Sequence, residues 1–204
     1  MSLPNSLTTA RIVLTPVFLV MLFSESPFWK QISLVVFIVA ALTDYYDGYV
    51  ARKFGYITRW GIFLDPLADK ILSSAALFSF VYLNLVDAWM VWIIVIRDFL
   101  ITGLRSYAEY KDQPIITSKP AQAKTLGEFV VLYYILILYI AGNVQMFHAK
   151  YSALLGSLMD SRVLFGMMLL VTLSSLGTGI MYIFDYRKFL LEIYRATFGP
   201  EPTK

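Results

Sequence analysis

Two long stretches of this 204-residue sequence contain no charged residue. Residues 129–147 and 163–184 lack Asp, Glu, Lys and Arg altogether and are rich in Leu, Ile, Val and Phe. A helix of about 20 such residues is long enough to cross the hydrocarbon layer of a bilayer. The composition agrees, because 58% of all residues are hydrophobic and only 15% are charged, which is far from the usage of soluble domains. The sequence therefore predicts an integral membrane protein.

Hydropathy, with charged residues as boundaries, divides the chain into six candidate spans. They cover approximately residues 7–23, 31–51, 61–84, 88–107, 127–147 and 162–184. Residues 1–10 precede the first span, and Pro4 and Asn5 favour a short interfacial helix there. We expect an all-α polytopic membrane protein with six transmembrane helices and a short N-terminal interfacial segment, folded as a single domain over residues 1–204.

Basic residues predict the orientation of this bundle. With six spans both termini lie on one side, and the opposite side holds only Lys30, Lys150 and Arg162 among the basic residues of its loops. The termini and the loops on their side hold the others: Arg52, Lys53, Arg59, Lys111, Lys119, Lys124, Arg187, Lys188, Arg195 and Lys204. Because basic loops stay in the cytoplasm, we expect a multi-pass protein of the cell (inner) membrane with both termini cytoplasmic.

Other classes are disfavoured by what the sequence lacks. The absence of Cys excludes a disulfide framework and a zinc-thiolate site. The net charge of +3 is spread over loops and suits contact with anionic lipid headgroups. No basic and aromatic stripe is present, so no nucleic-acid partner is expected. The single histidine, His148, falls on the side away from the cytoplasm and is not a catalytic candidate.

Four aspartates recur at helical spacing in the second and third spans. Asp44 and Asp47 are three residues apart, and Asp65 and Asp69 are four apart, so each pair lies on one face of its helix. Four neighbouring carboxylates repel one another, and hard divalent cations such as Mg²⁺ or Mn²⁺ relieve that repulsion with oxygen ligands. The alternative is that these residues cap helices or form ion pairs. The joint pattern favours a metal site at the cytoplasmic face.

Residues phased with the aspartates suit a phosphate ligand. Gly48 follows Asp44 by one turn and Gly61 precedes Asp65 by one turn, so a base or a phosphate can approach the backbone closely at both positions. Arg52, at the end of the same helix as Gly48, can neutralise a phosphate with its guanidinium fork. Two cations about 3.5–4 Å apart would stabilise the attacking and leaving oxygens of a displacement at phosphorus.

The whole stretch resembles the signature of the CDP-alcohol phosphotransferase family. That signature has two Asp three apart, Gly, Ala-Arg, eight residues, Gly and two further Asp, and every position is filled here. The resemblance implies two divalent cations, a CDP-linked lipid donor, CMP as leaving group and a homodimer. It implies that Asp44, Asp47 and Asp65 are metal ligands, that Asp69 is both ligand and catalytic base, and that Gly48, Arg52 and Gly61 surround the CDP moiety.

Two further segments bear on the acceptor alcohol. Residues 3–16 resemble the N-terminus of the family's bacterial phosphatidylglycerophosphate synthases, and similar starts occur in its cardiolipin synthases. Residues 97–105 resemble the fourth helix of the same synthases, with Arg97-Asp98 where Arg-Glu is more usual. Residues 121–125 depart from their Gly-Lys-x-Lys-Thr pattern, because the first Lys is missing. The resemblance implies transfer of phosphatidyl from CDP-diacylglycerol to glycerol 3-phosphate.

Basic residues near the cytoplasmic side are candidates for the acceptor's phosphate. Arg97 and Arg105 are eight residues apart and lie on roughly one helix face, and Lys124 precedes the fifth span. Alternatively Arg97 pairs with Asp98 or Asp87, and Arg105 and Lys124 anchor helix ends. Lys70, beside Asp69, could add a further cation for the acceptor, but it is interpreted mainly as an ordinary surface or snorkelling lysine.

Rival functions remain at this point. Within the same chemistry the acceptor could be phosphatidylglycerol, giving cardiolipin, or serine or inositol phosphate. A divalent-cation transporter also places acidic residues on facing membrane helices. The aspartates lie at one face of the membrane rather than midway, and no inverted repeat is visible, so the sequence favours the enzyme.

Overall fold

A computed structural model of the chain describes residues 3–54, 59–110 and 117–187. Within these ranges the chain forms seven α-helices and no β-strand. The helices are α1 (Leu3–Leu22), α2 (Pro27–Phe54), α3 (Arg59–Tyr82), α4 (Ala88–Tyr110), α5 (Lys119–Gly142), α6 (Gln145–Leu158) and α7 (Ser161–Asp185). The prediction of an all-α protein is confirmed for these residues.

Six of these helices correspond to the predicted spans, and α6 was not predicted. The fifth span was expected to continue to residue 147, but α5 ends at Gly142 and Val144 has an extended backbone before α6 begins. That part of the prediction was wrong, because the uncharged run conceals a break between two helices. At about 1.5 Å per residue, the 14 residues of α6 give a length of about 21 Å, less than the hydrocarbon thickness.

Local signals explain several helix ends. After α3, Asn84 has a positive φ of 56°, and the Leu85 and Asn84 amides donate to the carbonyls of Phe80 and Val81. This is a Schellman motif, in which asparagine tolerates the left-handed conformation better than most residues. At the start of α7 the Asp160 carboxylate accepts a hydrogen bond of 2.8 Å from the Arg162 amide. At the other end of the chain, α1 runs unbroken from Leu3, so the expected interfacial segment and the first span form one helix.

The helices pack around one apolar core. α1 contacts α2 and α3, α3 contacts α4, and α7 contacts α4 and α5, whereas α6 contacts α5. Side chains that are fully enclosed in this core include Phe18, Leu22, Phe37, Leu77, Phe80, Met90, Ile94, Leu132, Ile135 and Leu136.

The outer surface of the bundle is also apolar. Val20 is 74% exposed, Leu170 is 71% exposed, and many other large aliphatic and aromatic side chains face outward. Soluble monomers rarely expose so much contiguous apolar area. Among the described residues, α5 and α7 are long and apolar enough to cross a membrane, and α1 and α2 contain shorter apolar segments. Hydrocarbon is a better solvent than water for this surface.

Candidate active site

The four aspartates of the predicted metal site lie on two consecutive helices. Asp44 and Asp47 lie in the C-terminal half of α2, and Asp65 and Asp69 lie in the N-terminal half of α3. Each pair therefore shares one face of its helix, as predicted. α2 and α3 contact each other directly. The two helices are joined through residues 55–58, which lie outside the described residues.

Only one of these four side chains is described. The Asp69 side chain is half-buried, whereas the side chains of Asp44, Asp47 and Asp65 are outside the described set. Among the side chains that the structure does describe, no group of three or more Asp, Glu or His could hold a metal ion. Gly48, Arg52 and Gly61 lie on α2 and α3 at the predicted helical positions, and their surroundings are likewise not described. The metal and CDP sites therefore stay predictions.

Immediately after Asp69, Lys70 begins a buried network of charged side chains. Asp98 of α4 is its centre. The Oδ2 atom of Asp98 accepts a hydrogen bond of 2.9 Å from Lys70 Nζ, and Oδ1 accepts bonds of 2.9 Å from Arg97 and 2.6 Å from Lys124. Lys124 also donates to Glu128 one turn later on α5, at 2.5 Å. We call these five residues the Asp98 cluster. It connects α3, α4 and α5.

Burial makes these contacts strong constraints on the helices. The side chains of Asp98, Glu128 and Lys124 are 2%, 3% and 0% exposed, whereas those of Lys70 and Arg97 are each 12% exposed. Removing one partner of a buried ion pair costs about 3–5 kcal/mol, because the other charge is left uncompensated. Three cations and two carboxylates leave the cluster with a formal charge of +1. A buried positive charge beside Asp69 suits an anionic ligand.

Arg97 extends the cluster to a fourth helix. Its second terminal nitrogen donates to Thr178 Oγ1 of α7 at 2.9 Å, and the Thr178 hydroxyl donates in turn to the Ser174 carbonyl. Gly179 leaves room for the arginine stem, because a Cβ there would lie 3.3 Å from Arg97 Cγ. The alternative interpretation of Arg97, an ion pair with Asp98, is thus present. Its contact with the acceptor stays a prediction.

The other predicted phosphate residues differ in their surroundings. Lys124 is completely enclosed and bound to two carboxylates, so it is not a helix-end anchor at the headgroup layer. Lys70 is mostly buried and ion-paired, and its interpretation as an ordinary surface lysine was wrong. Arg105 is exposed on α4, two turns beyond Arg97, and does not belong to the Asp98 cluster. The structure brings Arg97 and Lys124 together but does not add Arg105 to them.

An apolar groove runs beside Arg97 between α4 and α7. Its volume is about 980 Å³, and apart from Arg97 its walls are mainly aliphatic and aromatic side chains and two glycines. Gly103 and Gly179 lie on opposite walls. The groove therefore places hydrocarbon-compatible surface within reach of the charged cluster.

Arg11 is a buried cation that joins α1 to α2. It is 1% exposed, and its Nε donates to the Ala40 carbonyl of α2 at 3.4 Å. Ala40 lies one turn before Asp44. The contact therefore fixes α1 against the part of α2 that carries the first two aspartates.

Sequence reasoning missed the role of Glu128 and identified only one contact of Asp98, its pair with Arg97. Both acidic residues were visible as charges within or at the edge of predicted spans, where an ionisable residue normally has a partner or a function. The i,i+4 spacing of Lys124 and Glu128 was a second signal. The contact of Asp98 with Lys70 had no such signal, because it depends on the packing of α3 against α4.

Comparison with known proteins shows to which protein family the chain belongs. Residues 1–159 match the family described as CDP-alcohol phosphatidyltransferase. The chain belongs to this family. The match includes the four aspartates and all five residues of the Asp98 cluster, and it ends just before α7. Family membership confirms the prediction of a phosphatidyltransferase and disfavours the divalent-cation transporter.

Several bacterial members of the family are similar to this chain, and they carry the same name. CDP-diacylglycerol–glycerol-3-phosphate 3-phosphatidyltransferase of Bacillus subtilis is 37% identical, with the alignment covering 64% of this chain and 74% of the relative. The protein of that name from Rickettsia bellii is 34% identical over 64% of this chain and 72% of its own length. The Salmonella typhimurium protein is 32% identical, covering 66% and 76%.

Proposed function

We propose that this enzyme transfers the phosphatidyl group of CDP-diacylglycerol to glycerol 3-phosphate, giving phosphatidylglycerophosphate and CMP. The observation that carries the proposal is the similarity to family members named for this reaction. The net positive Asp98 cluster next to Asp69 supports it, because an acceptor that bears a phosphate needs a cationic site near the reacting hydroxyl. A neutral alcohol has no such requirement.

The proposed chemistry assigns the acceptor's proton to Asp69. Its carboxylate takes the proton from the glycerol 3-phosphate hydroxyl as that oxygen attacks the β-phosphorus of the donor. The bond from this phosphorus to the bridging oxygen breaks, and the electron pair leaves with CMP. Gly48, Arg52 and Gly61 bind the CDP moiety. Arg97, Arg105 and Lys124 form the acceptor's phosphate site, either by contacting the phosphate or by holding neighbouring residues that contact it.

The aspartates on α2 and α3 have the chemistry of a divalent-cation site. Every candidate donor is a carboxylate oxygen, which is the ligand type that Mg²⁺ and Mn²⁺ take, and the two helices that carry them are in contact. Asp44, Asp47, Asp65 and Asp69 would hold two cations. Such ions neutralise charge on the diphosphate and on the departing phosphate.

An acceptor panel tests the reaction. Purified enzyme in detergent micelles with CDP-diacylglycerol and Mg²⁺ or Mn²⁺ is offered glycerol 3-phosphate, glycerol, serine, inositol phosphate or phosphatidylglycerol. We expect CMP release and a new anionic lipid with glycerol 3-phosphate, and none with glycerol, which is the matched acceptor without a phosphate. Release of CMP with another acceptor and not with glycerol 3-phosphate would contradict the assignment.

We propose that the chain is one domain over residues 1–204 in the cell (inner) membrane, crossing it six times with α1 to α5 and α7. Both termini and the active site are then cytoplasmic, and α6 lies on the opposite side. The distribution of Lys and Arg supports this orientation. The homodimer that the family resemblance implies also stays a proposal, and a monomeric molar mass in detergent solution would contradict it.

Single cysteines test the orientation, because the natural chain has none. Glu25 is exposed in the turn between α1 and α2, and Gln122 is exposed near the start of α5. In intact spheroplasts a membrane-impermeant maleimide should label Glu25→Cys, and it should label Gln122→Cys only after the membrane is permeabilised. The reverse pattern would show that the aspartates face away from the cytoplasm.

A further inference from the structure

One carboxylate oxygen of Asp98 binds a single cation of the Asp98 cluster. Asp98 Oδ1 is shared by Arg97 and Lys124, but Oδ2 binds only Lys70 among the described residues. An ammonium group has three donor hydrogens, and this contact uses one of them. The Asp98 carboxylate therefore fixes the direction of the Lys70 side chain.

Exposure separates the cations of the cluster into two groups. Lys124 is completely enclosed, and its ammonium is bound by both Asp98 and Glu128. Lys70 and Arg97 retain 12% exposure each, so they form the edge of the cluster that a bound molecule can touch. Arg97 lines the apolar groove and both of its terminal nitrogens are bonded, so Lys70 is the cation of the cluster that is left to meet a charged ligand.

Lys70 is also the cluster member nearest in sequence to the proposed base. It follows Asp69 directly on α3, so the two Cα atoms are about 3.8 Å apart, and both residues lie in the same helical turn. Consecutive helix positions point about 100° apart, but the Asp69 carboxylate is among the charges that act on the Lys70 ammonium, so the two groups lie near enough to serve one small substrate. A phosphomonoester carries close to two negative charges at neutral pH, and the Asp98 cluster has one more cation than it has carboxylates to meet that charge.

We propose that Lys70 binds the phosphate of the acceptor and that Asp98 is the positioning residue that holds the Lys70 side chain. In this assignment Lys124 acts indirectly, because it and Glu128 keep the Asp98 carboxylate in place. The proposal rests on the proposed function, since it requires an acceptor with a phosphate group. It differs from a purely structural role, in which the cluster would only hold α3, α4 and α5 together.

Steady-state kinetics of the purified enzyme with CDP-diacylglycerol and glycerol 3-phosphate separate these roles. Lys70→Gln and Asp98→Asn should each raise the KM for glycerol 3-phosphate by about tenfold or more, the effect of losing a hydrogen bond to a charged group. The KM for CDP-diacylglycerol should change by less than about twofold, because the donor does not touch these residues in this assignment. Asp98→Glu should restore most of the acceptor affinity.

A lysine outside the site provides the matched control. Lys30 of α2 also ties two helices, donating to Asn143 Oδ1 at 2.8 Å, and it lies at the far end of the bundle. Lys30→Gln should leave both KM values unchanged. The double variant Lys70→Gln with Asp98→Asn should be little worse than either single one, because both changes remove the same contact.

Three outcomes would decide whether Lys70 binds the acceptor phosphate. A raised acceptor KM in Lys70→Gln with an unchanged donor KM supports the proposal, and if Asp98→Asn does not fold, this partly exposed lysine still provides the test. An unchanged acceptor KM in a folded Lys70→Gln enzyme overturns the proposal while leaving glycerol 3-phosphate as substrate. Lack of turnover with glycerol 3-phosphate in the unsubstituted enzyme would overturn the proposed function first, and this inference with it.

Discussion

Replacing Asp69 by asparagine is expected to lower kcat for CMP release by about 10²- to 10⁴-fold, the range that a positioned general base contributes. Asparagine has nearly the same shape but cannot take the proton of the acceptor hydroxyl. The Ser73 hydroxyl contacts the Asp69 backbone carbonyl rather than its carboxylate, so this bond survives the substitution. The loss is expected in kcat because the variant has no base for the acceptor hydroxyl.

The control for this variant is an aspartate outside the motif. Asp87 is exposed in the turn between α3 and α4, at the other end of α3 from the active site. Asp87→Asn should retain full turnover, and both variants should show the same thermal transition in detergent. Full turnover by a folded Asp69→Asn enzyme would remove Asp69 from the role of base. A selective rise in the metal concentration needed for activity would instead make it a ligand only.

The parts of the fold that sequence predicted are those with strong local signals. Uncharged runs of membrane length marked α5 and α7, and the phased aspartates marked the facing halves of α2 and α3. Family resemblance then supplied a chemistry that spacing alone does not, and the match over residues 1–159 bears it out. The break at Val144 was missed because charge alone defined the fifth span, although Gly142 and Asn143 at the end of α5 are typical helix-ending residues.

Only part of the candidate site could be predicted, because some of its residues have local sequence signals and others do not. The pair of Arg97 with Asp98 was one of the interpretations of the sequence, but the contacts of Asp98 with Lys70 and Lys124 depend on three helices meeting at one level. Sequence separation hides such contacts, since Lys70, Asp98 and Lys124 lie 26 to 28 positions apart in succession. Glu128 further explains how Lys124 is tolerated without any exposure, because each buried charge needs a compensating partner.

Removing divalent cations is expected to abolish CMP release completely. Without them the diphosphate of the donor and the carboxylates of Asp44, Asp47, Asp65 and Asp69 repel one another, so donor binding and turnover should fail together. Chelation of the purified enzyme followed by stepwise return of Mg²⁺ or Mn²⁺ measures the dependence. Full turnover in the presence of excess chelator would contradict the metal site.

A binding measurement separates the metal site from catalysis. In a thermal denaturation series, a cation that binds only the folded enzyme stabilises it by RT ln(1 + [L]/Kd), about 2.7 kcal/mol at a hundredfold excess over Kd. Asp65→Asn removes one of the four carboxylates and should require a higher cation concentration for the same shift in stability, whereas Asp185→Asn, at the end of α7, should not.

Because four carboxylates brought together without cations destabilise the fold, Asp65→Asn should also be more stable than the unsubstituted enzyme when no metal is present. A lower stability of this variant in chelator would mean that Asp65 serves the fold as a cap or an ion-pair partner, and an unchanged cation requirement would contradict its place in the metal site.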